Sequence, residues 1–126
     1  MLSRQKIFDN AVKRLAKQGG PSYNEKKGQC EYRDPRGRAC VIGASIPDER
    51  YDLKFESRGV GLLRDLEDIL PIEAEHDFLF VFQGLHDGEL ALFGRDAVAA
   101  RRHLRTFARA TGLDFSKVKL IKQWSR

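Results

Sequence analysis

The fold turns on the stretch "QCEYRDPRGRACVIG", residues Gln29–Gly43. At its centre, Asp34-Pro35-Arg36-Gly37 has the chemistry of a tight turn: Pro presets φ at the second position, Asp bonds back to the backbone, and Gly accepts φ > 0. The flanking runs QCEYR and RACVIG are short and bounded by polar residues, so the stretch predicts a β-hairpin. In a type I turn with Gly37 in a bulge, Tyr32 faces Cys40 and Cys30 faces Ile42. In the two-residue alternative, Cys30 faces Val41 and Cys40 faces Glu31. The sulfurs are diagonal neighbours, roughly 7–8 Å apart, in the first register and on opposite faces in the second. Neither favours a disulfide. A structural zinc site wants four ligands with a close Cys pair, and Cys-x9-Cys supplies two. Both cysteines therefore read as buried, hydrophobe-like residues, with no metal or cofactor implied. The hairpin reads as a structural clasp whose turn displays Arg33, Arg36 and Arg38 to solvent.

Upstream, SRQKIFDNAVKRLAKQGG repeats Ile7, Phe8, Ala11, Val12, Leu15 and Ala16 at helical spacing, with Ser3 to cap the start and Gly19-Gly20 to end it. Lys6, Lys13 and Lys17 fall opposite that stripe as a solvated face. PSYNEKKG is a polar loop. Downstream of the hairpin, ASIPDERYD places Pro47, Asp48 and Glu49 where a helical turn can begin.

The arrangement Cys-x-Tyr-Arg, a Gly-bearing turn, Cys-x-x-Gly and Ile-Pro-Asp-x-x-Tyr-Asp resembles a group of small uncharacterised proteins found in bacteriophages and prophages. Here it is carried by Cys30, Tyr32, Arg33, Gly37, Cys40, Gly43, Ile46, Pro47, Asp48, Tyr51 and Asp52. The similarity runs from the first helix to about Gly112. It implies a mobile-element origin and a compact fold, and no particular activity. Residues 113–126 stand as an addition to the shared pattern.

From Val60 onward helices dominate. VGLLRDLEDIL puts Leu62, Leu63, Leu66, Ile69 and Leu70 on one face and stops before Pro71. Phe78-Leu79-Phe80-Val81-Phe82 fits a buried strand or a buried helix by pattern alone. The resemblance implies a helix, from about Ile72 to His86. The pairs His76-Asp77 and His86-Asp87 invite comparison with metal-dependent phosphohydrolases. Ten residues apart on one helix they stand about 15 Å apart along the axis, too far to share an ion. His86 near the helix's last carbonyls reads as a cap.

In RDAVAARRHLRTFARATGL, Asp96 can cap and Gly112 can end a helix that buries Ala97, Ala100, Leu104, Phe107 and Ala108. Arg102, Arg105 and Arg109 share a narrow arc, flanked by Arg95 and Arg101. Guanidinium forks suit phosphate and carboxylate alike. DFSKVKLIKQWSR adds Lys117, Lys119, Lys122 and Trp124, either as an edge strand or as a short helix capped by Ser116. Trp124 either stacks on a base or packs on the core.

The 126 residues carry a net charge of +5, arranged basic, acidic, basic: residues 1–40 hold ten Lys/Arg and four Asp/Glu, residues 41–100 five and thirteen, residues 101–126 eight and one. Such blocks either neutralise one another or steer charged partners. No apolar run is long enough for a signal peptide or a membrane span, so a cytoplasmic protein is expected. Gly-rich phosphate loops, nucleophile elbows, metal-binding helix patterns and RNA-binding aromatic signatures are absent from the sequence.

The sequence thus predicts a small single α+β domain, mostly helical, with about four helices, one β-hairpin and an optional C-terminal edge strand. The function expected is a non-catalytic interaction protein of phage-like type. It would bind a host protein or nucleoprotein complex, host-defence complexes included, through Arg95, Arg101, Arg102, Arg105, Arg109, Lys117, Lys119, Lys122 and Trp124, extended by Arg33, Arg36 and Arg38. The alternatives are direct DNA or RNA binding, a small hydrolase using His76, His86 and His103, and phosphate mimicry by the acidic residues 48–77. No membrane partner is implied.

Overall fold

The structure, a computed structural model, describes residues 2–57 and 76–126. Three α-helices organise them: α1 (Arg4–Gln18), α2 (His76–Gly84) and α3 (Ala97–Thr111). The helix expected over residues 60–70, and the start of the one expected from Ile72, lie outside the described residues. The ends of α1 and α3 follow from their sequences. Ser3 Oγ accepts the N–H of Lys6 at 3.1 Å and Asp96 Oδ1 that of Ala99 at 2.8 Å, each satisfying a first-turn donor. Gly19 and Gly112 close the two helices at φ 77° and 72°, left-handed conformations open to glycine at little cost.

The apolar stripes of the three helices meet in a group of four phenylalanines. Phe8 of α1, Phe78 and Phe82 of α2 and Phe107 of α3 lie with ring centroids 4.8–6.3 Å apart, the closest pair being Phe82 and Phe107. Spacings of this size fit offset-stacked and tilted aromatic pairs. The run Phe78–Phe82 is helical, and its 3.6-residue period buries Phe78, Leu79 and Phe82 while turning Phe80 and Val81 outward. After α2 the backbone widens into one π-type turn, Leu85–Leu90, in which Ala91 donates to the carbonyl of His86 five residues back at 2.8 Å. The turn brings His86 and Leu90 inward together.

No sheet forms among the described residues, which corrects the α+β expectation. The predicted turn is present, with Asp34 N–H on the Arg38 carbonyl at 2.9 Å and Gly37 at φ 84°. Only the single antiparallel bridge Arg33–Ala39 follows it. The rung beyond needs a reciprocal pair between Tyr32 and Cys40. Cys40 N–H does reach the Tyr32 carbonyl, at 3.3 Å, but Tyr32 N–H is taken by Glu56 Oε1 at 2.8 Å. The Cys40 carbonyl accepts instead from Ala44 at 2.9 Å as the chain curls into the 3₁₀ turn Gly43–Ser45. Arg33 N–H goes to the second Glu56 oxygen at 3.0 Å. On the other arm the Gln18 amide holds both backbone groups of Ala39, at 2.8 and 2.7 Å. One carboxylate and one amide thus stand where strand partners would be, satisfying backbone groups that must be paired once buried.

The C-terminal edge strand is likewise absent. Ser116–Leu120 is a 3₁₀ turn, started by Asp114 Oδ1 accepting the Ser116 N–H at 2.8 Å. The chain then runs unpaired along the fold with Val118, Ile121 and Trp124 buried. Its anchors are Arg101 on the Ile121 carbonyl at 2.6 Å, Ser125 N–H on the Gly19 carbonyl at 2.9 Å, and Arg38 on the Ser125 carbonyl at 2.6 Å. No described helix is long and apolar enough to cross a membrane.

Candidate interaction surface

The arginines of the clasp are used internally to different degrees, which corrects the expectation of a solvent-displayed tip. Arg33 is largely buried, pairs with Asp48, donates to the carbonyls of Gly43 and Ile46 at 3.2 and 2.6 Å, and lies 5.6 Å over the Tyr51 ring. That pairing holds the Asp48 carboxyl below the usual carboxylate range. Arg36 is exposed and pairs with buried Asp34 at 3.0 Å, while Arg38 is half-buried against the C-terminal segment. Asp34 fixes the turn by also accepting backbone N–H groups from Tyr23, Arg36 and Arg38 at 2.8–3.1 Å.

On α3 the predicted row divides. Arg101 belongs to the core side through Ile121, and Arg109, though exposed, lies 5.1 Å over the Phe115 ring. Arg95 and Arg102 are exposed and Arg105 half-exposed, and none of the three has an ion pair among the described residues. At 100° per residue Val98, Arg102, Arg105 and Arg109 fall within about 60° of one another. Phe93 and Val98 are 60% and 62% exposed, and they share with Arg95, Arg102 and His103 an open groove of ≈ 440 Å³. The α3 surface is therefore apolar at its N-terminal end and cationic along its length.

In the C-terminal segment Lys117 pairs with Asp9 at 3.2 Å, whereas Lys119 and Lys122 are exposed. Trp124 is in the core, 8% exposed, beside Gly94, and offers no face for a base to stack on. Arg126 lies 4.3 Å over the Tyr23 ring and pairs with Glu25 at 3.5 Å.

The histidines expected for a hydrolase have separate partners. His86 is fully buried and does not cap carbonyls. Its Nε2 accepts Ser22 N–H at 3.3 Å, so Nδ1 carries the proton toward Asp87 Oδ1 at 2.9 Å. His103 faces Glu89 at 3.7 Å in the α3 groove. The His76 side chain lies outside the described set. Cys30, His86 and Asp87 bring three possible metal donors within 4.8 Å of one another. Burial first, then the charge of Asp87 and a hydrogen bond to it, pushes the Cys30 thiol far up. The Ser22–His86 hydrogen bond joins the loop to the π-type turn, and a thiol that keeps its proton is the opposite of an activated nucleophile.

Half of the ten acidic residues in 48–77 lie outside the described residues, and two that are described are already engaged: Asp48 by Arg33, and Glu56 by Tyr32, Arg33 and the Tyr51 hydroxyl. Missing from the sequence reading were Phe93 and Val98, whose exposure interrupts no periodicity, and Arg14, which the fold brings beside the turn. Compared with family models, with curated proteins and with solved structures, the chain matches none.

Proposed function

We propose that the protein is a non-catalytic interaction module that holds an acidic surface of a protein partner with the exposed side of α3. The observation that carries the reading is the union of Phe93 and Val98 with Arg95 and Arg102 in one groove. Exposed aromatic and aliphatic side chains beside arginines that have no ion pair among the described residues have the composition of protein-interface centres, where apolar anchors supply burial and Arg supplies paired bonds to carboxylates. A phosphate backbone would use the arginines and leave Phe93 and Val98 in water. The burial of Trp124 removes the stacking residue that favoured a nucleic acid. In the mobile-element setting implied by the clasp motif, such a partner is a host protein or the protein face of a nucleoprotein complex, defence complexes included.

The test is affinity capture from a bacterial lysate with identification of the retained species, run in parallel with fluorescence polarisation on duplex DNA, single-stranded DNA and RNA across a salt series. The expected result is a protein partner retained by the wild type and lost both when Arg95, Arg102 and Arg105 become Glu and when Phe93 becomes Ser. Tight nucleic-acid binding with a steep salt slope, abolished by the Arg changes and indifferent to Phe93→Ser, would replace this reading with direct nucleic-acid recognition.

A further inference from the structure

A second cationic concavity lies away from α3, between α1 and the Asp34–Arg38 turn. It is an open groove of ≈ 510 Å³ lined by Arg14, Lys17, Gln18, Arg36, Arg38 and Asp48, and it shares no lining residue with the α3 groove. Four cations converge here from two segments far apart in sequence. Their partners decide what the groove lacks. Arg36 has Asp34, and Asp48 is paired with Arg33. Arg14 and Arg38 are held by neutral acceptors: the Gly37 carbonyl at 3.0 Å and Gln18 Oε1 at 3.3 Å for Arg14, the Ser125 carbonyl at 2.6 Å for Arg38. Carbonyl and amide oxygens orient a guanidinium without neutralising it. Lys17 is exposed and has no ion pair among the described residues.

We propose that this groove is a phosphate-binding site, in which the spare donors of Arg14, Arg36 and Arg38 and the ammonium of Lys17 surround one phosphate group. A guanidinium has five N–H donors, and each of these three spends one or two on the partners just named, leaving donors for a ligand. Several cations around one point suit a tetrahedral dianion better than a single carboxylate, which one Arg fork satisfies. The geometry is set before any ligand arrives, because Asp34 fixes the turn from within and Gln18 pins Ala39, just beyond it, to the end of α1, and preorganisation lowers the ordering cost of binding. Burial, followed by the neighbouring charge of Arg36, lowers the pKa of Arg38, in keeping with positive charge that an anion would relieve. Among the described residues no aromatic side chain lines the groove, which favours recognition of the phosphate itself over an attached base.

The test is thermal denaturation and isothermal titration of the whole chain with inorganic phosphate, pyrophosphate and a short duplex DNA, at ionic strength held constant with chloride. Wild type, Lys17→Gln, Lys17→Glu, Arg36→Gln and the pair Arg102→Glu/Arg105→Glu are compared. The proposal expects saturable binding, weakened about tenfold or more by each groove change, since a charge-assisted bond to an anion is worth that much, and unaltered by the α3 pair. Binding of phosphate and pyrophosphate marks a free phosphorylated compound as the source; binding of DNA alone, lost in the same groove variants, marks a nucleic-acid backbone. If Arg36→Gln unsettles Asp34, the Lys17 variants, whose side chain has no ion pair among the described residues, carry the test. No binding beyond the chloride control, or binding indifferent to Lys17→Glu, overturns the site, and neither result touches the reading of α3.

Discussion

At the scale of single residues, Cys40 and Gly43 show how tightly the clasp closes. Cys40 is fully buried with the Gly43 N–H on its sulfur at 3.2 Å, and burial pushes the thiol from 9.0 up to about 12. A folded-state pKa above the unfolded value means that the folded protein holds the proton more tightly. This contribution to stability is whole below pH 9 and is lost as pH rises toward 12. Cys30, Tyr32 and Tyr51 are shifted in the same direction, each chiefly by burial. The melting temperature under reducing conditions should therefore fall from pH 9 upward, and Cys30→Ala/Cys40→Ala should make that fall shallower; parallel profiles would refute the assignment. Gly43 leaves no room for a side chain, because a Cβ there would lie 2.2 Å from the Tyr32 carbonyl oxygen. Gly43→Ala should cost about 3 kcal/mol or more in urea unfolding, since backbone meets backbone and neither can swing away.

At the scale of elements, the clasp is a tight turn with one bridge, and side chains stand where the expected hairpin would have had its ladder. Glu56 binds two backbone N–H groups and the Tyr51 hydroxyl, so Glu56→Ala leaves three donors without their acceptor. It should destabilise by about 2–4 kcal/mol, at 1–3 kcal/mol per orphaned buried group with part of the loss recovered by water. Glu56→Gln keeps one acceptor oxygen and should recover about half, as read by chemical denaturation. The sequence announced the turn, through Asp34, Pro35 and Gly37, and the caps of α1 and α3, through Ser3, Gly19, Asp96 and Gly112. Those signals are local: each residue acts on backbone within a few positions. Gln18 and Glu56 carry no such local mark. Their partners, Ala39 and the Tyr32–Arg33 pair, are 21 to 24 residues away.

At the scale of the whole molecule, the two basic ends are stitched to one another. Lys117–Asp9 and Arg126–Glu25 cross between them, and among the described residues Arg33–Asp48 joins a basic block to the acidic one. The C-terminal segment, expected from the sequence to be an addition, is integral here because Ile121 and Trp124 fill the core. Deleting residues 121–126 should cost about 5 kcal/mol or more, since truncating a buried Ile or Trp costs roughly 2–5 kcal/mol each, seen as a lowered denaturation midpoint. Gly20→Ala tests the docking by itself. A Cβ there would meet the Ser125 carbonyl oxygen at 1.9 Å, so limited proteolysis should cut this variant near its C-terminus under conditions that leave the wild type whole.

The sequence alone determined what neighbours along the chain dictate: the helices around Phe8 and Phe107, their caps, the Asp34–Gly37 turn, and the arginine row of α3. Helical period and capping act within one or two turns, so they survive without tertiary context. The tertiary structure decided where backbone groups on the two arms of the turn find partners, and hence that Glu56 and Gln18 replace a sheet. It also decided that Arg33 and Trp124 turn inward while Phe93 and Val98 stay in water, and that Arg14 and Lys17 meet Arg36 and Arg38 across a groove. Each of these is a competition between distant groups for the same hydrogen bond, ion pair or core volume, and it is settled only once the chain has brought the competitors together.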